Sequence, residues 1–191
     1  IWHAMAGLET GVLADENTTF KWDGTKYPVP SWNQDTSLKD AIRNSTVWYF
    51  QKVAEGIGEE RMHVLLDKVP FGNRDISGGL THFWLDSTLK ISPIELVYFL
   101  AQLYRGALAF RPGVVETVKR LIVLEKDETR EFSGKTGSCY DGKRGLGWFV
   151  GHVTSPRGEC VFALNIEGDD KANGKAAREI LEQILEARHL K

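Results

Sequence analysis

Lysine followed by threonine and enclosed by glycines, Gly134-Lys135-Thr136-Gly137, is the segment of this chain whose residue types most directly offer chemistry. A cation and a hydroxyl side by side suit an anionic group, and the flanking glycines let a ligand or another backbone come close. Ser138 continues the same predicted strand and adds a backbone N–H. Upstream, Ser45 stands at the entrance of a predicted helix with the apolar Val47 two residues on. Trp84, beside Leu85, carries an indole that can only donate a hydrogen bond. Arg178 lies next to the apolar stripe of the last predicted helix, where its guanidinium could reach past the helix start towards Lys135 and grip a carboxylate with two bonds. Each residue has a plainer reading as well: a strand end with turn glycines, an N-cap serine, core valine, leucine and tryptophan, a solvent-facing arginine.

Other chemistries lack their residues. The five histidines make no His-Glu-x-x-His or paired-ligand spacing. The segment 169–180 imitates a calcium loop through Asn173-Gly174, but Lys171 and Ile180 stand where oxygen ligands are needed. Gly142, Gly145 and Gly147 form neither a dinucleotide nor a phosphate-loop fingerprint. No metal or nucleotide cofactor is therefore predicted. A net charge of −2 on 191 residues argues against nucleic acid or an anionic membrane as the main partner. The longest apolar runs fall well short of the roughly 20 residues of a bilayer crossing, so no membrane-spanning helix is predicted. Cys139 and Cys160 allow either a disulfide or two free thiols, and position alone does not choose.

Positioning these residues requires helices before the Lys-Thr-Gly segment and strands around it. The chain opens on a stretch, 1–13, that is apolar on most faces and has no N-cap, as a helix in the middle of a domain would. An irregular stretch with Asp23-Gly24, Pro28 and Pro30 follows, in which Trp22, Tyr27 and Trp32 cover apolar surface. Helices are predicted through Ile42, over 46–57 with Val47, Phe50, Ala54 and Ile57 facing inward, and over 59–67. Residues 70–79 read as a loop. Ser92-Pro93-Ile94-Glu95 is a capping-box start for a helix to about Tyr104, and another helix follows Pro112-Gly113. Three strands, near 131–138, 147–154 and 159–166, form an antiparallel meander with turns at Asp141-Gly142 and Ser155-Pro156. A last helix from Gly174 to about Arg188 lays Ala177, Ile180, Leu181, Ile184 and Leu185 on the sheet. Three strands and one helix would leave an edge and part of the core uncovered.

In their order and separation, Ser45-Thr46-Val47, Phe71-Gly72-Asn73, Phe83-Trp84-Leu85-Asp86 and Lys135-Thr136-Gly137 resemble the motifs of class D (oxacillinase-type) serine β-lactamases, and the resemblance runs along nearly the whole chain. It implies an α+β fold of the β-lactamase and penicillin-binding-protein transpeptidase type: one domain over 1–191, with a helical lobe at about 14–127 and the sheet and C-terminal helix at about 128–191. It implies hydrolysis of penicillin-type β-lactams through an acyl-enzyme, with Ser45 as proton relay and Lys135 as the cation at the catalytic edge. Thr136, Gly137, Ser138 and Arg178 would bind substrate, the Ser138 N–H within the oxyanion hole. The nucleophilic serine and a carboxylated lysine are expected in a Ser-x-x-Lys motif just before Ile1, with further strands and a helix before that. A lysine takes up carbon dioxide only as the free amine, and Val47 with Leu85 would supply the dry wall that lowers its pKa, Trp84 donating to the carboxylate. The implied cofactor is none beyond carbon dioxide or bicarbonate, the partner a small-molecule β-lactam, the state monomer or homodimer, and the location periplasmic or secreted. The literal Ser87-Thr88-Leu89-Lys90 match to Ser-x-x-Lys sits beyond the Trp-Leu-Asp loop and is read as fortuitous. The alternative is a β-lactam sensor domain of the kind carried by membrane receptors. Sensors of that type tend to have a polar residue at position 47, so valine favours the enzyme.

Overall fold

The computed structural model describes residues 1–85, 88–140 and 142–191. They group into two compact units, each discontinuous in sequence: Ile1–Pro70 with Arg74–Leu89 and Ala109–Leu121, and Phe71–Asn73 with Lys90–Leu108 and Ile122–Lys191.

The first unit is helical. Its opening helix α1 (Trp2–Glu9) buries every residue from Trp2 to Leu8, as a segment without a polar face must. The sequence predicts helical character through Leu13, but the helix stops at Glu9. Gly11 turns the chain at φ 76°, and the Leu13 N–H donates back to the Gly7 carbonyl at 2.9 Å. A two-stranded ribbon, β1 (Thr19–Phe20) with β2 (Thr36–Ser37), encloses the proline-rich stretch, where Trp22, Tyr27 and Trp32 are half-buried as expected of a packed loop. Helix α2 (Leu38–Asn44) is capped by Ser37, which accepts the Asp40 amide. Helix α3 (Val47–Ile57) and helix α4 (Glu59–Lys68) follow. The inward face of α3 is rotated from the predicted one: Trp48, Tyr49 and Val53 are buried with Ala54 and Ile57, whereas Val47 and Phe50 are half-buried. The two large rings decide it, because each also satisfies its polar atom, Trp48 on the Trp32 carbonyl at 2.9 Å and Tyr49 on the Thr18 carbonyl at 2.7 Å. Helix α5 (Pro93–Tyr104) belongs to the second unit, and α6 (Pro112–Leu121) returns to the first, where it packs on α1.

The second unit is a sheet with a helix on each face. Ser92 and Glu95 form the predicted capping box at the start of α5. Among the described residues the sheet has four strands rather than three: β3 (Val123–Lys126), β4 (Glu131–Tyr140), β5 (Gly145–Ser155) and β6 (Gly158–Gly168), antiparallel in that order. Strand β3 escapes the pattern because its last three residues are exposed, so it lacks the alternation of a half-buried strand. The predicted turn at Asp141-Gly142 falls partly on Asp141, outside the described residues. Phe132, Phe149, Val153 and Phe162 share one face and meet Ala177, Leu181 and Leu185 of α7 (Gly174–Ala187). Ile180 and Ile184, predicted to lie on the sheet, are 41% and 46% exposed, since i, i+4, i+8 spacing already fills the contact and sets them on its flank. Tyr104 of α5 stacks on His152 on the opposite face, with ring centroids 3.7 Å apart. Cys139 lies on this α5 face and Cys160 on the α7 face, and both thiols are free.

Candidate functional site

Strand β4 changes character at Gly134. A Cβ there would stand 2.6 Å from the Phe149 ring, so only glycine lets that ring close the core beneath the strand. Pairing with β3 ends at Ser133, the Gly134 N–H donating to the Ile122 carbonyl at 2.8 Å. From Lys135 on, that edge carries no strand among the described residues. Since backbone groups alternate sides with a period of two, the Thr136 and Ser138 amides face the same bare edge as that of Gly134.

Side chains alternate too. Lys135 projects to the α5 face, where its ammonium donates to the Thr136 carbonyl at 2.8 Å and approaches the Thr136 hydroxyl at 3.5 Å. Burial lowers its pKa from 10.5 to about 8, because a desolvated ammonium is disfavoured. Thr136 and Ser138 point to the α7 face. The Ser138 hydroxyl accepts the Gly174 amide at 2.9 Å, tying the strand to the first residue of α7. Glycines allow this seating: a Cβ on Gly174 would meet the Gly137 carbonyl at 2.7 Å, and one on Gly147 the Asn173 carbonyl at 2.2 Å. Asn173 caps the helix by accepting the Lys175 and Ala176 amides. Arg178 shares the face of Thr136 and Ser138, not that of Lys135. Its guanidinium is bonded to Glu182, lies 3.8 Å from Glu125 and sits over the Phe149 ring, and no contact joins it to Lys135 among the described residues.

In the first unit, Ser45 terminates α2 in the left-handed conformation, φ 52° and ψ 44°, while Thr46 begins α3. Ser45 is thus a hinge residue between two helices, not the N-cap of the second. A non-glycine residue held there costs on the order of 1 kcal/mol, a strain that clusters at functional positions. Val47, half-buried, opens α3. Trp84 and Leu85 end a run of turns in which the Phe83 N–H donates to Gly79 and the Leu85 N–H to His82. The Trp84 indole N–H has no acceptor among the described residues.

The remaining motifs are architectural. Gly72, at φ 55°, lies so close to Lys90 that a Cβ would stand 2.1 Å from its carbonyl. Asn73 donates its N–H to that carbonyl and accepts the Lys90 N–H on its side chain, both at 2.9 Å. Lys90 itself is exposed, and Ser87 of the literal Ser-x-x-Lys match lies outside the described residues.

One neighbour of Trp84 went unread in the sequence. His3 of α1 is 9% exposed, with its ring centroid 4.1 Å from that of Trp84 and 5.4 Å from that of Phe83. Its Nε2 is buried without a hydrogen-bond partner among the described residues. A lone polar residue inside an otherwise apolar helix was the available signal.

A sequence profile of the penicillin binding protein transpeptidase domain matches residues 1–186. The probable β-lactamase YbxI of Bacillus subtilis is 42% identical over 183 residues, which cover 96% of this chain and 67% of that protein. The regulatory protein BlaR1 of Bacillus licheniformis is 40% identical over 187 residues, 97% of this chain but only 31% of its own length. The solved structure of the class D β-lactamase BAT-2 superposes with a TM-score of 0.92 at 41% identity, over 99% of this chain and 78% of that one. Among the described residues, no helix is long and apolar enough to cross a membrane.

Proposed function

The chain belongs to the penicillin binding protein transpeptidase domain family, as class D β-lactamases and BlaR1 do, and on that premise we propose that it is the greater part of a class D-type serine β-lactamase. The observation that carries the reading is the bare edge of β4, where a desolvated lysine, a threonine and two outward amides stand within four residues. That edge suits a fused lactam whose carboxylate needs a cation and a hydroxyl, and whose carbonyl oxygen becomes anionic during attack.

In this mechanism Lys135 and Thr136 hold the substrate carboxylate and the Ser138 amide donates to the developing oxyanion. Ser45 passes a proton towards the leaving nitrogen. In a class D-type enzyme the nucleophilic serine and the lysine come from a Ser-x-x-Lys motif, and carboxylation of that lysine would supply the base that activates water for deacylation. Val47 and Leu85 keep the lysine side chain dry enough to react as a free amine, and the Trp84 N–H donates to its carboxylate. Arg178, on the face of Thr136, would join that clamp by exchanging its part-exposed ion pair with Glu182 for the substrate carboxylate.

A receptor-type reading has its own support in the 40% identity to BlaR1 over nearly the whole chain. There the protein would be acylated and release product slowly. Val47 favours the enzyme, since an apolar neighbour disfavours the protonated lysine that cannot hold carbon dioxide. The test is the full-length protein with a chromogenic cephalosporin in bicarbonate buffer. Sustained turnover supports the enzyme, a stoichiometric burst alone the receptor, and neither burst nor turnover would remove both. Within the enzyme, Trp84→Ala is expected to slow deacylation at least tenfold while acylation changes little.

A further inference from the structure

His3 is buried in the first unit against the rings of Phe83 and Trp84, and a further ring neighbour is Trp2, at 5.6 Å. Phe83 is fully buried and meets Trp84 edge-on at 5.0 Å, so imidazole and phenyl together contact the indole. Burial lowers the His3 pKa well below its ordinary 6.5, so the ring is neutral at physiological pH. A polar atom buried, as His3 Nε2 is, without a partner among the described residues costs stability, and an aliphatic residue would fill the same position in an apolar helix without that cost.

From these contacts we propose that His3 is a positioning residue for Trp84: the imidazole fixes the plane of the indole and hence the direction of its N–H. The inference rests on the role given above to Trp84 and extends it to a residue outside the recognised motifs. A planar aromatic ring at 4.1 Å restrains rotation of the indole, which a flexible aliphatic chain would not. His3→Phe preserves the flat ring and removes the nitrogens, whereas His3→Leu removes the ring.

The experiment uses the full-length protein and has two readouts. An NMR titration with carbon-13 bicarbonate reports the lysine carbamate directly, and rapid-mixing kinetics separate acylation from deacylation. His3→Leu is expected to raise the bicarbonate concentration for half-carboxylation about tenfold and to slow deacylation by a similar factor, with acylation within twofold of the parent. His3→Phe is expected to stay within threefold of the parent on both readouts. In a Trp84→Ala background His3→Leu should add less than twofold, because the residue it positions is gone. A folded His3→Leu protein with unchanged half-carboxylation overturns the proposal. So does a tenfold loss in His3→Phe, which stands as the test on its own should His3→Leu fail to fold, and so does full additivity with Trp84→Ala. If the parent shows no carbamate signal and no acylation, it is the function itself that fails, and the two failures are thereby distinguished.

Discussion

Replacing Lys135 with methionine should make the protein more stable and abolish its recognition of β-lactams. The drop of its pKa from 10.5 to about 8 corresponds to roughly 3 kcal/mol by which the folded environment disfavours the ammonium. Because the folded value lies below the unfolded one, the unfolded chain holds the extra proton between pH 8 and 10.5. Stability contributed by this site therefore rises across that window and is at its least favourable below pH 8. Methionine has a similar length and no charge to desolvate. It forfeits the ammonium's hydrogen bonds, the one to the Thr136 carbonyl among them, each worth about 1 kcal/mol net, so Lys135→Met should gain at most about 2 kcal/mol at pH 7. For a chain of this size that is roughly 4–8 °C in Tm. Chemical denaturation of parent and variant at pH 7 and at pH 10 would measure it, and the gap should narrow at the higher pH, where the parent lysine has lost its proton. A variant less stable than the parent at pH 7, or a gap indifferent to pH, would refute the desolvation argument.

Three further outcomes are expected. For the parent, kcat/KM towards an anionic penicillin should fall as pH rises through about 8, where Lys135 loses its charge, and Lys135→Arg should remove that limb from the pH–rate profile. Gly147→Ala should cost roughly 3 kcal/mol or more, read as a lower denaturation midpoint, because its Cβ would lie 2.2 Å from the Asn173 carbonyl and backbone cannot yield as a side chain can. Val47→Asn should leave acylation near parental but stall deacylation, and excess bicarbonate should restore part of the turnover; an unchanged steady state would argue that position 47 does not tune the lysine.

How much of this was legible beforehand depends on whether the signal is local. The Ser92–Glu95 capping box, the Asn173-Gly174 helix start and the strands from β4 to β6 are written in short-range spacing, and all appear at or near their predicted places. Strand β3 is not, because its partner alone makes it a strand. The face of α3 was misjudged because spacing weighs valine and phenylalanine without asking whether Trp48 and Tyr49 can satisfy their polar atoms inside. At the candidate site, residue types pointed to Lys135 through Ser138, but the alternation that sends Lys135 to one face and Thr136 with Arg178 to the other follows from strand register. The left-handed backbone of Ser45 has no mark in the local pattern, and the polar His3 in an apolar helix marks its own position without naming Trp84 as its neighbour.

The border of β4 from Lys135 onward, solitary among the described residues, would also bear on how a ligand is chosen under the proposed function. Its outward groups are peptide donors and acceptors at fixed intervals, common to every sequence, so they grip whatever presents an extended amide and are blind to what hangs from it. Under the proposed function, tolerance of varied side groups would be built into the main chain, and discrimination would fall to the surrounding loops. The same border would welcome a strand from another molecule, were it not interrupted by glycine at 134 and 137 and guarded by a charge at 135, residues that make poor partners for a stacking sheet.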